Sequence, residues 1–165
     1  MTGTTLIGTT PRSILLVVLC VAACGGKAVP ATGKAEEAAP PEGMAFKDMS
    51  GKQRAAFMQL TVVPTMKPLF QEFDAKKFAT FNCKTCHGAG AEQAHFDMPN
   101  PDLPRLPKPE NFMAYAKDPE HAPMVQFMAG KVKPMMAKLL MMSEFDPATN
   151  TGDFSCHACH LTEGE

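Results

Sequence analysis

Phe57-Met58-Gln59-Leu60-Thr61-Val62-Val63-Pro64-Thr65-Met66-Lys67-Pro68-Leu69 returns later in the chain as Phe127-Met128-Ala129-Gly130-Lys131-Val132-Lys133-Pro134-Met135-Met136-Ala137-Lys138-Leu139. Phe, Met, Val, Pro, Met and Leu coincide at a constant offset, and Phe73-Asp74 matches Phe145-Asp146 after a small insertion. Self-similarity of this kind marks a duplicated supersecondary unit. Met58, Val62, Met66, Leu69 and Phe73 advance in steps of three or four, as do Met128, Val132, Met136 and Leu139, so each copy predicts one apolar helical stripe. Pro64 and Pro134 each remove a backbone donor and crowd the turn before them, which predicts a kink or a division of both helices. Ser50 is placed to cap the first helix. Asp118-Pro119-Glu120 reads as the start of the second, with Asp as N-cap, Pro at the first helical position and an acid in the first turn. Strand signals are nearly absent, so a mainly α domain with long irregular loops is expected.

Each copy then runs into Cys-x-x-Cys-His: Cys83-Lys84-Thr85-Cys86-His87 and Cys156-His157-Ala158-Cys159-His160. This is the attachment motif of c-type haem. Residues i and i+3 of a helical turn share a face, so both thiols can add to the vinyl groups of one porphyrin. The His that follows reaches the iron as proximal ligand. The expected cofactors are therefore two covalently bound haem c groups, on Cys83 and Cys86 and on Cys156 and Cys159, with His87 and His160 as metal ligands. A zinc ribbon also pairs two Cys-x-x-Cys units, and a lone Cys-x-x-Cys can be a redox dithiol. Neither needs a His directly after both pairs. The fold expectation becomes duplicated helix–turn–haem-binding-helix units, at about 50–88 and 120–161, around two haems. A Pro-rich connector, 97–110, lies between them; its five prolines from Pro99 to Pro109 exclude a helix there and predict an extended segment.

The order of the elements bears on the sixth ligands. Only five residues follow His160, too few to reach the far face of a porphyrin. A sixth ligand for the second haem is therefore expected from upstream, or the iron is open. The duplicated helix lies upstream of its motif in both copies and carries Met on its stripe. Met136 is the expected ligand of the second haem and, by the repeat, Met66 of the first. Met58 and Met128 form the competing matched pair, and Met98, Met124 and Met135 are further candidates. A Met on an apolar stripe is also an ordinary core residue. Among histidines, His95 follows the first motif closely, His121 sits near the second helix start, and His157 lies inside the second motif; each reads as a surface residue first.

The N-terminus indicates location. Arg12 precedes the apolar run Ile14–Ala23, too short to span a bilayer but fitted to a signal peptide. The run ends Val21-Ala22-Ala23-Cys24, which resembles a bacterial lipobox and implies a signal peptide of 1–23, cleavage before Cys24 and lipidation of that residue. Residues 24–45 form the lipidated Cys and a linker of Gly, Ala, Pro, Lys and Glu, too polar to offset the entropy of ordering. The domain is 46–165. The chain holds 13 Met and 11 Phe but a single Tyr and no Trp, and flexible Met side chains suit packing against large flat cofactors. Without Arg12, 15 of the 16 basic residues face 17 acidic ones, so nothing points to nucleic acid. Location on a bacterial membrane facing the periplasm is expected, with the outer membrane favoured, or on the cell surface.

A Met-bearing helix followed by Cys-x-x-Cys-His, in two copies, resembles the cytochrome subunit of photosynthetic reaction centres. The likeness is best from His121 to His160 and weaker from Phe57 to His87. It implies an architecture in which each segment has an apolar helix bearing the sixth-ligand Met, a turn, and a haem-binding helix. This chain has two motifs where that subunit has four. The function expected is a membrane-anchored dihaem c-type cytochrome, not an enzyme, that transfers electrons between redox partner proteins outside the inner membrane. The alternative is a peroxidase-like haem enzyme or sensor with one open iron, which needs a distal Glu or His constellation not readable in the sequence.

Overall fold

A computed structural model describes Pro40 and residues 42–165. The expected signal peptide, Cys24 and most of the expected linker lie outside the described residues. The described part is mainly helical and contains no strand, only four isolated bridges.

The chain enters through a short 3-10 turn, Phe46–Asp48, and then α1, Gly51–Phe57. Arg54 binds the turn back by donating to the Phe46 and Lys47 carbonyls at 3.1 and 2.8 Å. Ser50 caps α1 as expected: its hydroxyl accepts from Gln53 N, and the Gln53 side chain accepts from Ser50 N. Helical backbone continues without a break through a π turn, Met58–Val62, into α2, Val63–Phe73. The second long helix repeats the pattern: α5, Ala122–Phe127, a π turn at Met128–Val132, and α6, Lys133–Leu140.

Both π turns lie immediately before the prolines that were expected to divide the helices. In each, the residue before proline donates five positions back: Val63 N to Met58 O, and Lys133 N to Met128 O. Proline has no donor for the carbonyl four residues back and its ring crowds that carbonyl. Widening the turn relieves the crowding and leaves Pro64 and Pro134 at the start of a fresh α segment, where a missing N–H costs nothing. The helices are thus divided by a widened turn rather than broken.

Two elements differ from the sequence reading. Helix α4, Pro109–Lys117, starts on the last proline of the connector. It carries the signal used elsewhere, Pro at the first position with Glu110 in the first turn. Asp118-Pro119-Glu120 is then the turn between α4 and α5. The Asp118 carboxylate accepts from Glu120 N at 2.8 Å, and the second helix begins three residues later than expected, after His121. The short α3, Cys83–His87, follows α2, and a 3-10 turn, Cys156–Ala158, holds the second motif.

The core is aromatic and sits where the long helices meet. Phe70 of α2 contacts Phe78, Phe81 and Phe127, with ring centroids 4.9, 4.9 and 5.1 Å away, and Phe73 stacks on Phe127 at 4.4 Å. Val62, Met66 and Phe70 form the buried line of the first helix. On the second, Phe127, Ala137 and Leu140 are buried, while Met128, Val132, Met136 and Leu139 are only half-buried. The expected stripe is therefore present but lies at the margin of the core. Phe70→Ala should destabilise the protein by about 3–5 kcal/mol, and the exposed Leu60→Ala by less than about 0.5 kcal/mol, both read from urea midpoints.

Candidate functional site

The first motif is one helical turn with a built start and stop. Asn82 caps α3 through its side-chain oxygen on Lys84 N, at 2.9 Å, and Thr85 Oγ1 returns the bond to Asn82 N at 3.1 Å. The turn stops at Gly88, with φ 62° and ψ −162°, a backbone region that only glycine occupies readily. A Cβ on Gly88 would also collide with the Asp102 carboxylate. That carboxylate takes the next donor, Ala89 N, at 2.8 Å.

The second motif is shorter. Ser155 caps it by accepting from His157 N, and the Cys156 carbonyl accepts from both Cys159 N and His160 N, at 3.1 and 3.0 Å. It cannot extend as a helix, because the residues after it pair with the connector. Asn100 bridges to His160 and Leu106 to Thr162, both in parallel sense. Leu106 N donates to Leu161 O at 2.9 Å, and Glu163 N donates to Leu106 O at 2.8 Å.

The same connector touches both motifs. Asn100 N donates to Cys159 O at 3.0 Å, and its side-chain amide donates to Cys86 O at 3.4 Å. The connector was expected to be extended and to lie between the copies; that it joins their Cys-x-x-Cys-His turns was not foreseen. Asn100, Asp102 and Pro104 are the site residues that sequence reasoning missed. The available signal was Asn100-Pro101-Asp102, a turn-forming run in which Asp102 N donates to Asn100 Oδ1 at 2.8 Å.

The two motif histidines are prepared differently. His160 Nδ1 lies 2.8 Å from the Pro104 carbonyl. A carbonyl only accepts, so Nδ1 carries a proton and Nε2 is the nitrogen left to face a metal. His87 Nδ1 is buried without a hydrogen-bond partner, and the ring meets Phe96 edge-on at 5.3 Å. Burial holds the His87 pKa below the usual histidine range; the nearby Phe96 backbone opposes this but forms no well-aligned bond. The His87 ring is biased toward the neutral form that binds metals.

All four motif thiols are free. Burial, with smaller contributions from Cys159 and Cys83, pushes the Cys86 thiol up to about 12. Burial, then Cys156, raises Cys159 to about 11. A redox dithiol needs the reverse, a thiol whose pKa is lowered. No group of three or more His, Cys, Asp or Glu converges to hold a metal ion among the described residues, so the thiols are not arranged as a tetrahedral zinc set. Two free thiols followed by an imidazole at each turn are the set of side chains that covalent haem attachment would need.

Each motif rests on the long helix that precedes it in sequence. Cys86 packs against the cluster of Met66, Phe70, Phe78 and Phe81. Ala158 and Cys159 pack against Ala137, Leu140 and Phe154, as Met136 does. Met66 is 2% exposed and belongs to the core. Met128 adjoins the first cluster, and Met58 adjoins both. Of the other histidines, His95 and His157 are exposed, and His121 lies between Tyr115, at 4.1 Å, and Asp118, at 3.4 Å. Two surface clefts of about 310 and 350 Å³ are lined by no motif residue, so the candidate chemistry rests on the motifs themselves.

Gly88→Ala should cost at least about 1–3 kcal/mol from backbone strain alone, with the collision at Asp102 added. A urea midpoint unchanged from wild type would contradict the described stop of α3.

No protein-family model, no curated protein and no solved structure matches this chain.

Proposed function

We propose that the chain is a membrane-anchored dihaem c-type cytochrome that passes electrons between redox partner proteins outside the inner membrane. The observation that carries this reading is the pair of complete Cys-x-x-Cys-His turns with free thiols, the His160 ring oriented by the Pro104 carbonyl and the His87 ring held below the usual histidine pKa by burial. Cys83 and Cys86 would hold one haem by thioether bonds, and Cys156 and Cys159 the other. His87 and His160 would bind iron from the motif side, and Met66 and Met136 from the side of the long helices. Met66 lies in the cluster that Cys86 packs against, and Met136 adjoins the clusters of both motifs.

Haem supplies a reversible one-electron change at iron. The chain's residues would do the rest. The Pro104 carbonyl orients His160 and raises its basicity as a ligand. Phe70, Phe78 and Phe81 exclude water on the Met66 side. Methionine sulfur favours ferrous iron and so sets a higher potential than a second histidine would.

The architecture proposed is a duplicated helix–turn–haem-binding unit, similar to that of the reaction-centre cytochrome subunit. The two π turns support it, because Met58–Val62 and Met128–Val132 occupy matching positions of the repeat. The N-terminal part of the proposal is a signal peptide of 1–23 and a lipid on Cys24, which place the domain at a bacterial membrane surface, facing the periplasm or the cell exterior.

Oxidised protein should show the weak near-infrared band of sulfur-to-iron charge transfer. Met66→Ala and Met136→Ala should each abolish it at one haem, lower that haem's potential and open the iron to carbon monoxide. Met58→Ala and Met128→Ala should keep the band and cost about 2 kcal/mol or less, since both residues are only half-buried. Carbon monoxide binding to the unaltered reduced protein would favour the open-iron enzyme or sensor instead. Cys24→Ser should release the domain from membranes with its haem content unchanged; membrane-free native protein with an unacylated Cys24 would refute the anchor.

A further inference from the structure

Asn100 is the one polar side chain buried among the described residues, at 4% exposure. A buried amide costs stability unless its polar atoms are partnered. Here each has a partner. The backbone N–H donates to Cys159 O and the backbone carbonyl accepts from Leu103 N. Side-chain Oδ1 accepts from Asp102 N, and Nδ2 donates to Cys86 O. Two of these four bonds end on motif carbonyls, one in each motif, and both on the second cysteine of its turn. One residue therefore ties the two attachment turns at equivalent positions.

We propose that Asn100 is a positioning residue that fixes the two haem-attachment turns relative to each other, and hence the spacing and orientation of the two haems. The inference rests on the dihaem reading. The neighbouring contacts act in the same direction. Asp102 holds the exit of the first turn through Ala89 N, and Pro104 holds His160 of the second through its carbonyl. The Asn100–Pro104 segment is thus short, proline-stiffened and attached at both ends. A cooperative set of buried hydrogen bonds of this kind specifies one geometry rather than adding much stability. Electron exchange between haems depends steeply on separation, so a fixed spacing is what a two-centre carrier requires, and supporting groups left loose misplace a site by about 1 Å.

The test uses the full dihaem protein and reads the Soret region by circular dichroism, where two neighbouring haems in fixed orientation give a bisignate couplet. Wild type should show the couplet and carry two covalent haems. Asn100→Ala should keep both haems yet lose about half or more of the couplet, because the shell that fixes the spacing is gone. The two midpoint potentials, read by spectroelectrochemical titration, should shift in their separation. Asn100→Asp keeps size and the acceptor for Asp102 N but lacks the donor to Cys86 O. It should also weaken the couplet, and it carries the test if Asn100→Ala fails to fold. Met49→Ala, a truncation of a buried residue outside both motif-bearing clusters, should lower stability and leave the couplet intact. Two haems per chain with an undiminished couplet in both Asn100 variants, or no couplet in wild type, would overturn the positioning role while leaving the dihaem reading standing. A wild-type chain without covalent haem would remove that reading itself.

Discussion

A proline-rich segment cannot satisfy its own backbone, and in this protein that constraint organises everything else. Pro99, Pro101, Pro104, Pro107 and Pro109 offer carbonyls but no donors. The segment therefore forms no helix before Pro109, and beyond the turn that Asp102 N and Leu103 N close on Asn100 its polar groups need outside partners. They find them on the two Cys-x-x-Cys-His turns. Asn100 and Leu106 donate to Cys159 and Leu161, Pro104 accepts from His160, and Asp102 and the Asn100 amide reach the first motif. The second motif is short because its following residues are committed to this pairing.

The helices supply the other half of the frame. Proline inside each long helix is accommodated by a π turn at the same place in both copies. The aromatic cluster around Phe70 joins the two helices and carries most of the apolar burial. Fixed π turns also set which face each helix offers beyond them. Beyond these matching turns Met66 ends in the core, while Met136 lies half-buried beside the cluster that the second motif packs against. In the proposed carrier, this difference gives two irons with unlike surroundings, and burial and solvent access are among the main means by which a protein tunes haem potentials.

Local signals were read well from the sequence where a residue acts on its immediate neighbours. Ser50 caps α1, Pro64 and Pro134 interrupt their helices, and the absence of strand patterns matches a helical structure. The start of α5 was misplaced because Asp118 can close an Asx turn as readily as cap a helix, and Pro119 suits either. Helix α4 was missed because its opening proline also ended a proline-rich run. The role of Asn100 was not legible for a different reason. Its partners, Cys86 and Cys159, are far from it in sequence in opposite directions, and no periodicity or turn rule links such positions. The buried line of the second helix, Phe127, Ala137 and Leu140, was also displaced from the predicted stripe.

Covalent haem at both turns is the central claim of the proposed function. The direct measurement is the intact mass of the denatured chain, made in a host able to mature c-type cytochromes. The account predicts a chain heavier by two haems, with the visible haem absorbance remaining on the polypeptide after denaturation and with one haem lost when Cys83 and Cys86, or Cys156 and Cys159, are replaced by Ala. A natively folded chain at its bare polypeptide mass, with or without bound zinc, would contradict it.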